Sequence, residues 1–173
     1  LGADIFNNKL HGYRAATLTA REFQSISSKY YRALSMSVNQ ADANLLNKLM
    51  DEINATFDAT MIKLQEVYDF YPEGSQYKEY FSTAIESAKD YKTALKESME
   101  WLTLDATAAT MMMENTQTRF EKLDRVLQSI EKRADLDSRT AFEYSMESAD
   151  NSLITTLMLL TISVAVSVAI TIL

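Results

Sequence analysis

The sequence predicts an all-α fold, an antiparallel up-down-up-down four-helix bundle whose fourth helix continues into a transmembrane helix. Apolar side chains recur in steps of three and four over long stretches, which is typical of helices packed in a left-handed bundle. The 173 residues include only 3 Gly and 1 Pro, too few for the many tight turns of a β fold. The last 21 residues, Leu153 to Leu173, carry no charge.

Composition argues against an enzyme. The chain has no Cys and a single His, His11, which excludes thiol nucleophiles, disulfides and zinc sites of the Cys/His type. We expect no cofactor, no metal site and no catalytic residue. The net charge of -7 argues against nucleic acid, because phosphate binding depends on a surplus of Lys and Arg.

The first predicted helix covers about residues 3–39 and carries two neighbouring apolar stripes. One stripe contains Ile5, Gly12, Ala16, Thr19, Phe23, Ile26, Tyr30 and Ala33. The other contains Phe6, Leu10, Tyr13, Ala20, Tyr31, Leu34 and Val38. Two interpretations stay open: one stripe fills the core while the other meets a partner in a homodimer, or both form the broad buried arc of an ordinary helix.

The second and third helices form a predicted hairpin around the only Pro and Gly cluster, at Pro72 and Gly74. The second helix spans residues 42–71, with Asp42 or Asn39 as its N-cap. Its seam contains Leu46, Met50, Ile53, Phe57, Thr60, Leu64, Val67 and Tyr71. The third starts at Gln76, and its seam contains Tyr77, Phe81, Ala84, Ala88, Tyr91, Leu95, Ser98 and Leu102.

The turn between the third and fourth helices is predicted at residues 103–106, because helices that form a hairpin should match in length. A later break near Asn115 is the competing prediction. The seam of the fourth helix contains Ala109, Met113, Thr116, Phe120, Leu123, Leu127, Ile130, Ala134, Asp137, Ala141, Tyr144, Ser148 and Asn151. No breaker separates it from the apolar run, so we expect one continuous rod of about 65 residues, on the order of 100 Å long. Asp137 either loosens the packing or pairs with Arg133, one turn earlier.

The apolar run is long enough to cross a bilayer, which takes about 20 residues. Glu143, Glu147 and Asp150 precede it, and no Lys or Arg follows Arg139, so the positive-inside bias disfavours a cytoplasmic position for this flank. We therefore expect residues 1–151 on the periplasmic or extracellular side of a bacterial cell membrane and residues 152–173 within it. Since the chain begins without Met and stops inside the run, we also expect it to be a fragment.

A line of arginines marks the first helix. Arg14, Arg21 and Arg32 are spaced by seven and eleven residues, which places them within about 20° of one another. The line is either a solvated face or an anion site, because guanidinium groups bind carboxylates in bidentate fashion.

If residue n of the first helix lies beside residue 144 minus n of the fourth, residues 29–32 face residues 110–117. The candidate ligand-binding residues are Arg21, Lys29, Tyr30, Tyr31, Arg32, Thr116 and Gln117. The alternative for Tyr30 and Thr116 is that both are core residues.

A cysteine-free extracytoplasmic bundle of long heptad helices, whose last helix runs unbroken into Leu153 to Leu173, resembles the sensory module of bacterial methyl-accepting chemotaxis receptors. The similarity covers residues 1–173. It implies a homodimer that binds a small anionic molecule, such as an amino or organic acid, with basic residues of the first helix and contacts from the fourth. It also implies that displacement of the last helix carries the signal across the membrane to a cytoplasmic signalling module outside this chain.

Two alternatives stay open. Sensor histidine kinases use similar modules. A membrane-anchored helical protein-interaction module would instead predict a cytosolic bundle and basic residues beside the anchor. A membrane-bound helical enzyme is disfavoured, because the paired His and carboxylate residues of a di-iron bundle are missing.

Overall fold

The computed structural model describes the backbone of residues 2–40 and 42–172, and the side chains of residues 11–40, 42–144, 146–148 and 151–160. Within these ranges the chain forms four α-helices and no strand. They are α1 (Gly2–Val38), α2 (Ala43–Phe70), α3 (Gln76–Leu102) and α4 (Ala106–Ile172). The predicted all-α fold and four-helix bundle are confirmed.

The predicted heptad seams form the core. Every α3 seam position from Phe81 to Leu102 is buried, and so are the α2 positions apart from the half-buried Met50. The middle of the core is aromatic, with the Phe23 ring centroid 5.3 Å from that of Phe57 and 6.4 Å from that of Tyr91. Burying a large apolar side chain contributes roughly 1.5–3 kcal/mol, so this layer is a principal source of stability.

The helix boundaries follow the local chemistry. Asp42 caps α2, because its carboxylate accepts a hydrogen bond from the Asn44 N–H at 2.8 Å. Gly74 adopts a φ of +76° in the turn before α3, a conformation that disfavours side chains with a Cβ. The predicted turn at 103–106 is confirmed, since α4 begins at Ala106, and the competing break near Asn115 is wrong.

Aromatic rings close one end of the bundle, here called the Pro72 end and defined by Gly12 and residues 70–81 and 133–137. Tyr71 stacks on Tyr77 and Phe81, with ring centroids 5.2 and 5.9 Å away. The Tyr77 hydroxyl donates to Asp137 Oδ2 at 2.9 Å, and Arg133 Nε lies 3.2 Å from Asp137 Oδ1. The predicted Arg133–Asp137 pair is confirmed, and together these contacts join α3 to α4.

The opposite end, here called the Leu104 end, consists of residues 37–40 and 101–111. The Ser37 hydroxyl donates to the Leu102 carbonyl and so connects the end of α1 to the end of α3. Beside it lies an open groove of about 670 Å³, whose lining includes Val38, Leu104 and Met111. Three quarters of the surface of Leu104 and of Met111 is exposed (75% and 76%).

The fourth helix extends far beyond the Pro72 end. Its predicted seam is buried or half-buried only as far as Ala141, whereas Tyr144, Ser148 and Asn151 are exposed. The seam prediction is therefore wrong for these last three positions. Tyr77, the second residue of α3, already contacts Asp137, so α3 does not accompany α4 along this stretch.

Candidate functional site

The arginine line lies on the outward face of α1. Arg14, Arg21 and Arg32 are all exposed, and none has an ion pair with another described residue. The sequence of α1 contains five basic residues (Lys or Arg) and two acidic residues (Asp or Glu), so its net charge is +3. With a total of -7, the remainder of the chain carries -10, so α1 is the basic helix of an acidic protein.

The spacing of these arginines limits what one copy of the chain can bind with them. At 1.5 Å per residue, Arg14 and Arg21 lie about 10 Å apart along the helix, and Arg21 and Arg32 about 16 Å apart. A small monocarboxylate therefore contacts only one of them.

Lys29 points away from the predicted α1–α4 site. Its Nζ lies 3.7 Å from Oε2 of Glu52 on α2, on the other side of α1. The prediction that Lys29 faces α4 beside its neighbours is therefore wrong. The cause is the 100° turn per residue, which directs consecutive side chains to different neighbouring helices.

Tyr31 and Gln117 are the two predicted site residues that the structure brings together. The Tyr31 hydroxyl donates to Gln117 Oε1 at 2.6 Å, and Gln117 Nε2 donates to Glu121 Oε1 at 2.8 Å. Burial, followed by the nearby Tyr30 and Glu121, raises the pKa of Tyr31 above its usual value. Tyr31, Gln117 and Glu121 lie at the protein surface between α1 and α4, where the Glu121 carboxylate repels an approaching anion.

Tyr30 and Thr116 are core residues, as the alternative prediction had it, and are 1% and 2% exposed. The Tyr30 hydroxyl pairs with Ser98 of α3. The Thr116 hydroxyl donates towards the backbone carbonyl of Ala94, also on α3, at 3.2 Å. Both side chains therefore satisfy polar groups inside the bundle and do not line an open site.

Three polar contacts define how α1 lies beside α4. They join Thr17 to Glu131 at 2.9 Å, Gln24 to Asp124 at 3.5 Å and Tyr31 to Gln117 at 2.6 Å. The two residue numbers in each pair add up to 148, whereas the predicted pairing of α1 with α4 assumed a sum of 144. The predicted register is therefore wrong by four residues, about one helical turn. The expectation assumed that the far ends of both helices are level, whereas α4 begins one turn beyond the level of Val38.

A second basic cluster, which the sequence analysis missed, lies on α4. Arg119, Lys122 and Arg125 line an open groove of about 440 Å³ together with Met111, Glu114, Asn115 and Thr118. Asp90 of α3 contacts two of the three cations, with Oδ2 3.1 Å from Lys122 Nζ and 3.8 Å from Arg119 Nη1. The regular spacing of the three residues by three positions could have revealed the cluster.

Among the described residues, no helical stretch is both long enough and apolar enough to cross a membrane. The predicted span, Leu153 to Leu173, runs past Leu160 into residues whose side chains lie outside the described part of the chain. No protein-family model matches the sequence, and no curated protein matches it.

Proposed function

We propose that this chain is the ligand-sensing module of a bacterial transmembrane chemoreceptor. In this proposal residues 1–151 form a periplasmic or extracellular bundle, and residues 152–173 form a membrane span. A small anionic ligand displaces α4, and the displacement reaches a cytoplasmic signalling module outside this chain.

The continuity of α4 carries the proposal. The helix runs from Ala106, at the far end of the bundle, to Ile172 without a break. Its last acidic residue is Asp150, and only uncharged residues follow. One rigid element therefore connects the bundle with an apolar segment of membrane-spanning length, and displacement at one end of such an element is felt at the other.

The helices are proposed to alternate in direction, as in an antiparallel up-down-up-down bundle. The α1–α4 contacts support this, because the partner on α4 moves back by seven residues for each seven residues gained on α1. This arrangement leaves α1 and α4 side by side along the length of the bundle. A ligand held by α1 can therefore act on α4 through a shift of one helix against the other.

Among the described residues, hydrogen bonds, and not ion pairs, are the polar contacts between α1 and α4. Ion pairs join α1 to α2 (Lys29–Glu52), α2 to α3 (Lys92–Asp58) and α3 to α4 (Lys122–Asp90). Within the described part of the chain, no ion pair joins α1 to α4. The seam has the three polar contacts instead, and a typical hydrogen bond contributes about 0.5–1.5 kcal/mol, similar to an exposed ion pair. A ligand needs only a modest preference for one arrangement to change the population of the two.

The arginine line of α1 is the proposed anion-binding element, with Arg21 and Arg32 at the level of the polar contacts. Because one copy offers a single arginine to a small carboxylate, a homodimer whose α1 faces meet would supply a second. Facing arginines repel each other, so an anion between them would favour the paired state.

The location of the bundle is tested by cysteine labelling. The chain has no Cys, so Leu104→Cys at the exposed Leu104 end gives a single reactive thiol. We expect a membrane-impermeant maleimide to label it in intact bacterial spheroplasts, whereas the buried control Ala84→Cys reacts only after denaturation. Labelling of Leu104→Cys only after lysis would instead support the cytosolic protein-interaction module.

The ligand proposal is tested by thermal unfolding of the full chain in detergent with a panel of amino acids and monocarboxylic acids. We expect the stabilisation by a panel member to be lost in Arg21→Ala and Arg32→Ala. Lys48→Ala on α2, which also removes an exposed cation, should retain it. An unchanged titration in both arginine variants would remove the arginine line from the site.

A further inference from the structure

We propose that the groove on the surface of α4 around Arg119, Lys122 and Arg125, next to Asp90 of α3, is a separate binding site for a small dicarboxylate. The proposal concerns different residues from the arginine line of α1. It also does not depend on whether α4 crosses a membrane.

The three cations lie close enough to act on one ligand. Arg119 and Arg125 are six residues apart, about 9 Å along the helix, and Lys122 lies midway between them. All three line the same groove of about 440 Å³. Each guanidinium group can bind one carboxylate of a short dicarboxylate in bidentate fashion, with the lysine ammonium between them along the helix.

The guanidinium groups have hydrogen-bonding capacity to offer. Arg119 Nη1 is 3.8 Å from Asp90 Oδ2, beyond hydrogen-bonding distance, and Arg125 has no ion pair within the described residues. Lys122 alone donates to Asp90, at 3.1 Å. A single exposed carboxylate, Asp90, therefore contacts two of the three cations, and an incoming carboxylate can take its place at Lys122. Asp90 is in this sense an internal competitor of the ligand.

Acidic residues limit the length of the ligand. Glu114 lines the same groove five residues before Arg119, and Glu97 lines the adjoining groove, which shares Asn115 and Arg119 with the first. An anion that reached beyond Arg119 towards the Leu104 end would meet these carboxylates. The amide of Asn115 and the hydroxyl of Thr118 add neutral hydrogen-bonding groups between them. The groove thus favours a short dicarboxylate over a longer polyanion.

The test uses succinate as the probe and isothermal titration calorimetry of the full chain in detergent, with acetate and inorganic phosphate at equal ionic strength. We expect succinate to bind and the other two anions to bind at least tenfold more weakly, because neither can engage both guanidinium groups. Arg119→Gln and Arg125→Gln should each weaken succinate binding by about tenfold or more, the equivalent of one or two charge-assisted hydrogen bonds.

Asp90→Asn is the most discriminating variant, because it should strengthen succinate binding by about two- to fivefold, the effect of removing an exposed ion pair. Lys89→Gln, which removes an exposed lysine from the same helix as Asp90, should change the affinity less than twofold and controls for the charge that Arg119→Gln and Arg125→Gln remove. The double variant Arg21→Gln/Arg32→Gln should bind succinate as the wild type does. The proposal is overturned if succinate does not bind, if phosphate binds as well, if Asp90→Asn weakens binding, or if only the α1 double variant loses it.

Discussion

The two ends of the bundle are built differently. At the Pro72 end, the rings of Tyr71, Tyr77 and Phe81 stack, and Tyr71 lies directly against the backbone of Gly12. At the Leu104 end, Leu104 and Met111 are largely exposed beside an open groove. The first end is closed by tight aromatic packing, and the second has room to rearrange.

This difference bears on how α4 could act. The Tyr77–Asp137–Arg133 contacts hold α4 close to the point where it leaves the bundle, whereas its first turns pack beside a groove. Changes at the Pro72 end should therefore cost stability, and changes to the exposed apolar side chains at the Leu104 end should not. On the proposed function, the firm end would transmit a displacement and the open end would adapt to it.

Alkaline pH should have the largest effect, through the Pro72 end. Burial raises the pKa of Tyr71 to about 12, although the Gly12 backbone partly offsets the rise. Above pH 10 the tyrosine of the unfolded chain ionises while the folded one stays neutral, so the unfolding free energy falls as pH rises towards 12. A difference of about two in pKa corresponds to ~2.7 kcal/mol. Burial also raises the pKa of Tyr91 and of Tyr77, so the total loss should be larger.

Guanidinium unfolding of the full chain in detergent, followed by circular dichroism from pH 8 to 12, measures this loss. Between pH 10 and 12, Tyr71→Phe should lose less unfolding free energy than the wild type does. The difference should reach at most the ~2.7 kcal/mol that Tyr71 contributes. An equal loss in Tyr71→Phe and in the wild type would mean that Tyr71 is not closed off from water and that the Pro72 end is open too.

Gly12→Ala should destabilise the fold by about 1–2 kcal/mol. A Cβ at Gly12 would lie 2.5 Å from the Tyr71 hydroxyl oxygen, whose ring is fixed between Tyr77 and Phe81. Overpacking typically costs about 1–3 kcal/mol, and the gain in helix propensity from Gly to Ala, about 1 kcal/mol, offsets part of it.

The double variant Gly12→Ala/Tyr71→Phe separates these terms, because it removes the clashing oxygen. Its unfolding free energy should exceed the value expected from adding the two single changes, by about 1 kcal/mol or more. Additive behaviour in denaturant unfolding would show that Gly12 and Tyr71 are not in close contact.

Tyr77→Phe should cost about 1 kcal/mol, less than a fully buried bond to a charged group would, because Asp137 keeps its contact with Arg133. Tyr80→Phe is the matched control. Tyr80 is half-buried beside Tyr77, and within the described residues no hydrogen bond from its hydroxyl is found. Equal effects of the two substitutions on the denaturation midpoint would mean that the Tyr77–Asp137 bond contributes nothing to holding α4.

Most of the helical architecture could be predicted from the sequence, because heptad spacing and breakers are local signals. The Pro72 and Gly74 turn follows from the residues at those positions, and Asp42 is one of the two cap candidates that the sequence offers, with Asn39. The turn after Leu102 follows from the matching lengths of the two hairpin helices. The relative register of α1 and α4 could not be predicted in this way. It depends on how two distant turns pack at the Leu104 end, and an error of one turn there shifts the expected partner of each α1 residue by about four positions on α4.

The candidate site was less predictable for the same reason. Tyr31 and Gln117 were correctly brought together, since both lie on the faces that α1 and α4 turn towards each other. Lys29 lies two positions before Tyr31 but contacts α2 through Glu52. The cluster of Arg119, Lys122 and Arg125 stands out as a candidate site only together with Asp90. Asp90 lies about thirty residues earlier, on another helix. Such pairs depend on which faces meet, and the spacing along a single helix does not contain that information.

Asp105→Ala at the Leu104 end should lower the unfolding free energy by no more than Tyr77→Phe does, about 1 kcal/mol. The Asp105 carboxylate accepts hydrogen bonds from the N–H groups of Thr107 at 2.8 Å and Ala108 at 3.2 Å and so caps the first turn of α4. Asp105→Asn, which keeps an acceptor, should recover most of the stability. If Asp105→Ala unfolds at the same denaturant concentration as the wild type, the first turn of α4 is already frayed.

The smallest effect is expected from Leu104→Gln/Met111→Gln, within about 0.5 kcal/mol of the wild type in denaturant unfolding. Both side chains are largely exposed, so the exchange removes little apolar contact. Leu102→Gln is the matched control two residues from Leu104. Its side chain is 3% exposed, and burying a polar amide there should cost several kcal/mol. If the double variant lost more than about 1 kcal/mol, the Leu104 end would be covered in solution, and the contrast between the two ends would no longer hold.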